Sequence, residues 1–131
     1  MSEIQCVVVT PEKTEIDVQA TSVTVPLFDG EMGILKNHSP MVGRLGFGAL
    51  RIKNAAGVVT SYFVEGGFVQ VSANTVSVLT DRVISMAEIS AQSAEAAMRA
   101  ASDMPIDAPE QAIARHKACE RARAMKRVAT P

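Results

Sequence analysis

Aromatic side chains and cysteine are scarce in this sequence. Its 131 residues include no tryptophan, one tyrosine, four phenylalanines and two cysteines, Cys6 and Cys119. The two cysteines lie near opposite ends of the chain, without the close spacing that metal-binding cysteines show. We therefore predict two reduced thiols, no long-range disulfide and no metal site.

Long apolar runs and an excess of charge are also absent. No stretch approaches the roughly twenty apolar residues that cross a bilayer, and no basic-then-apolar signal opens the sequence. We therefore expect no direct membrane insertion, so that any membrane association goes through partner proteins. The formal net charge is −1, which argues against polyanion binding by the chain as a whole.

Glycine and aromatic residues are missing from the last third of the chain. All eight glycines and every aromatic residue precede residue 86, and alanine and charged residues dominate after it. This change in composition predicts two domains, at 1–86 and 87–131. For the first we predict an all-β antiparallel sandwich, flattened like a barrel, and for the second an α-helical hairpin.

Alternating valines support the β prediction. Val23 and Val25 alternate with polar residues, and Val76 and Val78 do the same, which is typical of strands with one buried face. The run from Val58 to Val64 is apolar on both faces. Such a strand either lies in the middle of a sheet or offers one side to a partner.

Two glycines flank Phe47 and precede another apolar run. Gly46 and Gly48 predict a bulge or a close backbone approach at this point.

The segment 28–41 combines glycines and a proline with two titratable side chains, Glu31 and His38. Glycine permits unusual backbone angles and proline stiffens the exit, so we predict an ordered, exposed loop at one end of the sandwich. No nucleophile or phosphate-binding loop accompanies the two residues, so the pattern does not favour an enzyme.

Two helices are predicted after residue 86. The first covers roughly Ala87 to Ser102 with Ser85 and Glu88 as a capping box, and Asp107 caps the second. Both carry a stripe that is mostly alanine. Because an alanine methyl buries little apolar surface, we expect the hairpin to dock only weakly and to have docked and undocked states.

The second helix is strongly basic. Within the span 115–127 its cations are opposed only by Glu120, and His116 is able to add charge below neutral pH. They are Arg115, Lys117, Arg121, Arg123, Lys126 and Arg127. One interpretation is a solvated face whose cations suit the carboxyl end of the helix, and the other is a surface for an acidic partner. Nucleic acid is disfavoured, because no aromatic side chain follows Phe68 to stack on bases.

Two motifs in the β domain resemble the epsilon subunit of F-type ATP synthase. Residues 30–40 carry G-E-x-G-hydrophobic followed by x-x-H-x-P, and residues 66–79 carry G-G-F-x-x-V with an asparagine turn into V-x-V-L. The resemblance extends to the opening segment 8–12 and to the helical tail. It implies a non-catalytic central-stalk subunit that couples proton flow to ATP synthesis, on the cytoplasmic face of the bacterial inner membrane.

The resemblance also implies partners and site residues. The β domain would contact the gamma subunit and the c-ring, with Glu31 and His38 facing the polar loops of the ring and Val58 to Val64 as a candidate gamma-facing strand. The basic helix would contact the alpha and beta subunits and inhibit ATP hydrolysis. Its contact residues would be Arg115, Lys117, Arg121, Arg123, Lys126 and Arg127.

Some members of this family bind ATP through I/L-D-x-x-R-A at the start of the first tail helix. Here the corresponding residues 89–94 read I-S-A-Q-S-A. Ser90 and Ser93 replace the aspartate and the arginine, so we predict no nucleotide binding and no cofactor. The alternative function is a small β-sandwich interaction module whose basic helix binds an acidic protein or nucleic acid.

Overall fold

The structure is a computed structural model that describes residues 3–129. The chain divides into two compact units, Met1–Ile84 and Ser85–Pro131. The described residues contain eight strands, a short 3-10 turn and two α-helices. The strands are β1 (Ile4–Val9), β2 (Thr14–Ala20), β3 (Ser22–Leu27), β4 (Gly30–Leu35), β5 (Met41–Lys53), β6 (Val59–Ser72), β7 (Thr75–Leu79) and β8 (Val83–Ser85).

The strands form one sheet that folds around a single core. Their order is β2-β1-β7-β6-β5-β3-β4, and β8 pairs with β6. Side chains from β1 through β7 all meet in the same core, which makes the folded sheet a sandwich. The predicted β-sandwich followed by helices is thus confirmed. The prediction that all strands pair antiparallel is wrong for one pair of neighbours, because β1 and β7 are parallel.

The core follows the alternation expected from the sequence. Because successive side chains of a strand point to opposite faces, every second residue of β1, β3 and β7 is buried. The largest fully buried core side chains are Ile4, Val8, Val23, Val25, Ile34, Leu50, Val64, Val69, Val76 and Val78.

The predicted close approach occurs at the two glycines of β5. A Cβ at Gly46 would lie 3.1 Å from the Phe28 Cα, and a Cβ at Gly48 would lie 2.8 Å from the Pro26 Cβ. The β3–β5 pairing also shifts register in this region. Larger residues at these glycines would therefore push β3 away from β5.

The predicted loop at residues 28–41 is wrong for its central part. Gly30–Leu35 forms β4, which pairs with β3 through every residue from Ser22 to Leu27. The glycines do not prevent pairing, because alternate residues Met32 and Ile34 still pack against or into the core. Only residues 36–40 after β4 form a loop.

The second unit contains two helices, α1 (Ala91–Ser102) and α2 (Pro109–Val128). Lys126 Nζ near the end of α2 lies 3.5 Å from Glu95 Oε2 near the start of α1, so the helices run antiparallel. Buried alanines lie on both helices and include Ala94, Ala101 and Ala122 of the predicted stripes, whereas Ala114 of the second stripe is exposed. Ala124 is also buried.

Both predicted helix caps are wrong. Ser85 ends β8 and makes no side-chain cap hydrogen bond, so only a 3-10 turn (Met86–Glu88) follows it and α1 begins later, after Ser90. Asp107 does not cap α2. Pro109 takes the first helical position and disfavours helical angles at the residue before it, so Ala108 is extended and becomes the N-cap.

Candidate functional site

Glu31 lies on an edge of the sheet. It is the second residue of β4, the last strand in the order, and it is exposed together with Gly33 and Leu35, because alternate residues face outward. The Arg51 Nη2 atom lies 2.9 Å from Glu31 Oε2 and 3.0 Å from Oε1, across the intervening strand β3. An exposed pair of this kind contributes about 0–1 kcal/mol. Arg51 therefore orients the Glu31 carboxylate, and breaking this ion pair would cost a binding partner little free energy.

His38 lies in the loop after β4. Its Nδ1 atom is 2.7 Å from the Ser39 carbonyl oxygen, and the ring is half-buried. The loop is held in place because the Asn37 backbone N–H donates to Asn74 Oδ1 at 2.7 Å. Glu31 lies four residues before the end of β4, about 13 Å at the rise of a strand. Glu31 therefore lies near the beginning of β4, and His38 lies beyond its end.

A second surface was not recognised in the sequence. Paired residues on neighbouring strands point to the same face, and Val9, Leu79 and Phe68 are directly paired across β1, β7 and β6. Val42 on β5 is 71% exposed, Phe68 is 56% exposed and Leu79 is 49% exposed. With the half-buried Val7 and Val9 they form what we call the outer apolar face: Val7, Val9, Val42, Phe68 and Leu79. The polar residues Gln70 and Ser77 lie on the same face, in the row between Val42 and Val7.

One cation borders the outer apolar face. Arg44 pairs with Phe68 across β5 and β6, and its guanidinium carbon lies 5.9 Å from the centre of the Phe28 ring. Phe28 is itself 68% exposed. Phe28 and Phe68 thus lie on the surface next to an arginine, although phenylalanine is usually buried in soluble proteins. This composition is typical of protein interfaces.

The run from Val58 to Val64, which was expected to face a partner, is exposed only at its start. Val58 and Val59 are exposed, but Phe63 and Val64 are both fully buried, because β6 is a central strand. Phe63 and Val64 are therefore unavailable to a partner.

The cations of α2 surround the helix instead of forming one face. At 3.6 residues per turn, Arg115 and Arg123 share one side with Lys126, whereas Lys117 and Arg121 lie on another. These two groups border opposite sides of the alanine stripe that includes Ala122. Arg115 and Arg121 are half-buried, and the remaining cations, Lys117, Arg123, Lys126 and Arg127, are exposed.

Ser90 and Ser93, which replace the charged residues of the nucleotide motif, form the cap of α1. The Ser93 backbone N–H donates to Ser90 Oγ at 3.0 Å, and the Ser90 N–H donates to Ser93 Oγ at 3.0 Å. This reciprocal arrangement satisfies two N–H groups at the helix start. Ser90 and Ser93 therefore stabilise the helix and supply no charge for a nucleotide.

The two cysteines are free, as predicted. Cys6 is buried, and burial, with a smaller contribution from the charge of Asp17, raises the pKa of its thiol to about 12. Within residues 3–129 no group of three or more histidine, cysteine or acidic side chains could hold a metal ion. No helix in the same range has the length and hydropathy required to span a bilayer.

The β domain matches a known family. The model of the ATP synthase delta/epsilon chain beta-sandwich domain matches residues 3–86. The ATP synthase epsilon chain of Rhodopirellula baltica is 46% identical over 124 residues, which are 95% of this chain and 96% of that protein. The sodium ion specific epsilon chain of Propionigenium modestum is 36% identical over 95 residues, 72% of this chain and 69% of that one.

Solved structures share the fold at low sequence identity. A chain of the Euglena gracilis mitochondrial ATP synthase has a TM-score of 0.85 and 21% identity, over 97% of this chain and 81% of that chain. A chain from the central stalk and c-ring of the Tetrahymena thermophila mitochondrial ATP synthase has a TM-score of 0.72 and 18% identity, over 96% of both chains. Since the family model spans most of the chain and an epsilon chain matches nearly all of it, this protein belongs to the ATP synthase epsilon chain family.

Proposed function

We propose that this chain acts as a non-catalytic rotor subunit that links the gamma subunit to the c-ring and restrains ATP hydrolysis through its helices. The observation that carries the proposal is the outer apolar face. The core of the β domain is already complete, yet Phe68 and Leu79 remain exposed side by side, and the exposed Val42 lies diagonally across from Phe68. A group of exposed apolar side chains on a finished domain is typical of a site for another protein.

The gamma subunit is the partner we assign to this face. Family membership supports a partner within ATP synthase, and a neighbour of the same fold comes from a central stalk and c-ring assembly. Arg44 at the border of the face would give the contact a polar rim and fix its orientation.

The c-ring contact is assigned to the edge strand β4 and the loop after it. Glu31 offers an oriented carboxylate near the beginning of β4, and His38 offers a ring nitrogen beyond its end. A contact with two separate points resists rotation of one partner against the other better than a single point does. This arrangement suits a joint that transmits torque to polar ring loops.

The helices are assigned to the catalytic alpha and beta subunits. The exposed and half-buried cations of α2 would contact an acidic segment of the beta subunit and slow rotation in the hydrolytic direction. Each exposed pair contributes only about 0.2–1 kcal/mol, so several must act together and the restraint must weaken with salt. The ATP chemistry then belongs to the partner subunits, at the cytoplasmic face of the inner membrane.

Association with gamma tests the main assignment. Tagged chain added to detergent-solubilised membranes should recover gamma, and replacement of Phe68 and Leu79 together by threonine should abolish the recovery. As a control, threonine at Val58, which is 56% exposed outside the outer apolar face, should leave recovery unchanged. Equal recovery of gamma by all variants would contradict the proposal.

The restraint on hydrolysis is tested separately in the assembled enzyme. Replacing Arg115, Arg121 and Arg123 by glutamine should raise the rate of ATP hydrolysis, and the difference from wild type should shrink as salt rises. Unchanged rates at low salt would remove the inhibitory role.

A further inference from the structure

The loop after β4 is held by a residue from a distant turn of the β domain. The Asn37 backbone N–H points out of the loop and donates to Asn74 Oδ1 at 2.7 Å. Asn37 itself has a φ of +66°, in the left-handed region that few residues other than glycine, asparagine and aspartate adopt readily. Because the local chain does not favour this conformation, a contact from outside the loop stabilises it.

Asn74 lies on a firm support. It is the second residue of the two-residue turn between β6 and β7, whose flanking residues Ser72 and Thr75 pair directly. Ala73 and Asn74 have φ values of +50° and +59°, the pattern of a type I′ turn. The Asn74 carbonyl oxygen also accepts a hydrogen bond from the Gln5 N–H at 2.9 Å, which ties the turn to β1. The sheet therefore holds the backbone from which the Asn74 side chain extends.

His38 is oriented by contacts within its own loop. Its backbone N–H donates to the Leu35 carbonyl oxygen at 3.2 Å, and its ring Nδ1 lies 2.7 Å from the Ser39 carbonyl oxygen. Both partners belong to the segment 35–39, so these contacts fix the imidazole relative to the loop. The hydrogen bond from Asn37 to Asn74 joins the loop to the rest of the domain. A change at residue 74 should therefore displace His38 without touching it.

We propose that Asn74 is a positioning residue for His38, and that it sets where the imidazole meets the c-ring by holding the Asn37 backbone. The contact with the ring rests on the proposed function, whereas the positioning of the loop does not. Loss of one hydrogen bond changes a local equilibrium by about 2- to 10-fold. A ring that binds only the positioned loop should be bound more weakly by the same factor by which the positioned population falls.

Two substitutions at residue 74 separate the acceptor oxygen from the turn. Asn74→Gly removes Oδ1 and keeps the left-handed angle that the turn requires. Asn74→Asp retains an acceptor oxygen and tolerates the same angle, so it should keep the hydrogen bond to the Asn37 N–H. Both variants preserve the turn, so a role confined to the turn would not distinguish them.

Asn54 provides a matched control in another turn. Its Oδ1 accepts hydrogen bonds from the Ala56 and Val58 N–H groups, each at 3.0 Å, in the connection between β5 and β6. Asn54→Gly therefore removes the same kind of side-chain hydrogen bond without altering residues 36–40. This variant accounts for any general loss of stability in the β domain.

Amide hydrogen exchange of the isolated full-length chain, followed by nuclear magnetic resonance, tests the positioning. We expect exchange of the Asn37 N–H to accelerate about 2- to 10-fold in Asn74→Gly and to stay near the wild-type rate in Asn74→Asp and Asn54→Gly. Unchanged exchange in Asn74→Gly, or an equal acceleration in Asn74→Asp or Asn54→Gly, would overturn the positioning role.

Proton pumping by the assembled enzyme tests the consequence at the ring. The ratio of ATP-driven proton pumping to ATP hydrolysis should fall about twofold or more in Asn74→Gly and recover in Asn74→Asp. If Asn37 exchange accelerates in Asn74→Gly while this ratio keeps its wild-type value, the positioning of the loop stands and the assignment of His38 to the c-ring fails.

Discussion

Phe68→Thr is the substitution that most directly tests the outer apolar face. Phe68 points away from the core while its neighbours Val69 and Val71 point into it. Threonine keeps a high preference for strands, so β6 should remain intact. The free energy of unfolding should therefore change by less than about 1 kcal/mol.

The expected loss of gamma affinity follows from the exposed area. A phenylalanine side chain buries about 200 Å² when fully covered, and Phe68 is 56% exposed, so a partner would cover about 110 Å² more. At about 25 cal/mol per Å² this area contributes about 2–3 kcal/mol to binding. The Kd for gamma should therefore rise about 30- to 150-fold.

Titration calorimetry with purified gamma measures this change, and thermal unfolding of each variant checks that the fold is kept. Val58→Thr is the matched control, because Val58 is also 56% exposed and lies in the turn region before β6 instead of on the outer apolar face. An unchanged Kd for Phe68→Thr, or an equal loss for Val58→Thr, would refute the assignment of this face to gamma.

Three further substitutions test other parts of the structure. Gly67 has a φ of +107° and a Cβ there would overlap the Leu79 carbonyl oxygen, so Gly67→Ala should destabilise the β domain by about 3 kcal/mol or more in thermal unfolding. Gly33→Ala is the control, because a Cβ at Gly33 meets no atom within 4 Å. Equal stability of the two variants would argue against the packing described. Glu31→Lys should place a cation beside Arg51 and reduce ATP-driven proton pumping, whereas wild-type coupling would exclude Glu31 from the ring contact. Ser90→Ala should destabilise the start of α1 by about 1 kcal/mol, which amide exchange would detect as faster exchange. Neither the wild-type chain nor this variant should bind ATP in calorimetry. A micromolar ATP complex with the wild-type chain would contradict the conclusion that Ser90 and Ser93 remove nucleotide binding.

Local sequence patterns predicted the framework of both units. The alternation around Val23, Val25, Val76 and Val78 identified core strands, because the two-residue period of a strand is set by backbone geometry alone. The change in composition near residue 86, from valine, glycine and aromatic residues to alanine and charge, likewise marked the start of the helical unit. Both signals depend only on residues close in sequence.

The caps show where local patterns compete with one another. Ser85 and Ser90 both fit a helix start, but the backbone of Ser85 is used in β8, and only Ser90 finds a reciprocal partner three residues later. Asp107 and Ala108 compete in the same way, and Pro109 decides between them by restricting the residue before it.

The sequence by itself determined the class of each unit, the alternation of the core and the membership of the epsilon chain family, because these follow from short-range periodicity and from motifs read along the chain. The strand order decided the rest. Val9, Phe68 and Leu79 become neighbours only because β1, β7 and β6 lie side by side, and Glu31 reaches Arg51 only across β3. A two-residue period tells which side chains share a face, but it does not tell which strand lies next, and that pairing is set by the burial of the whole core.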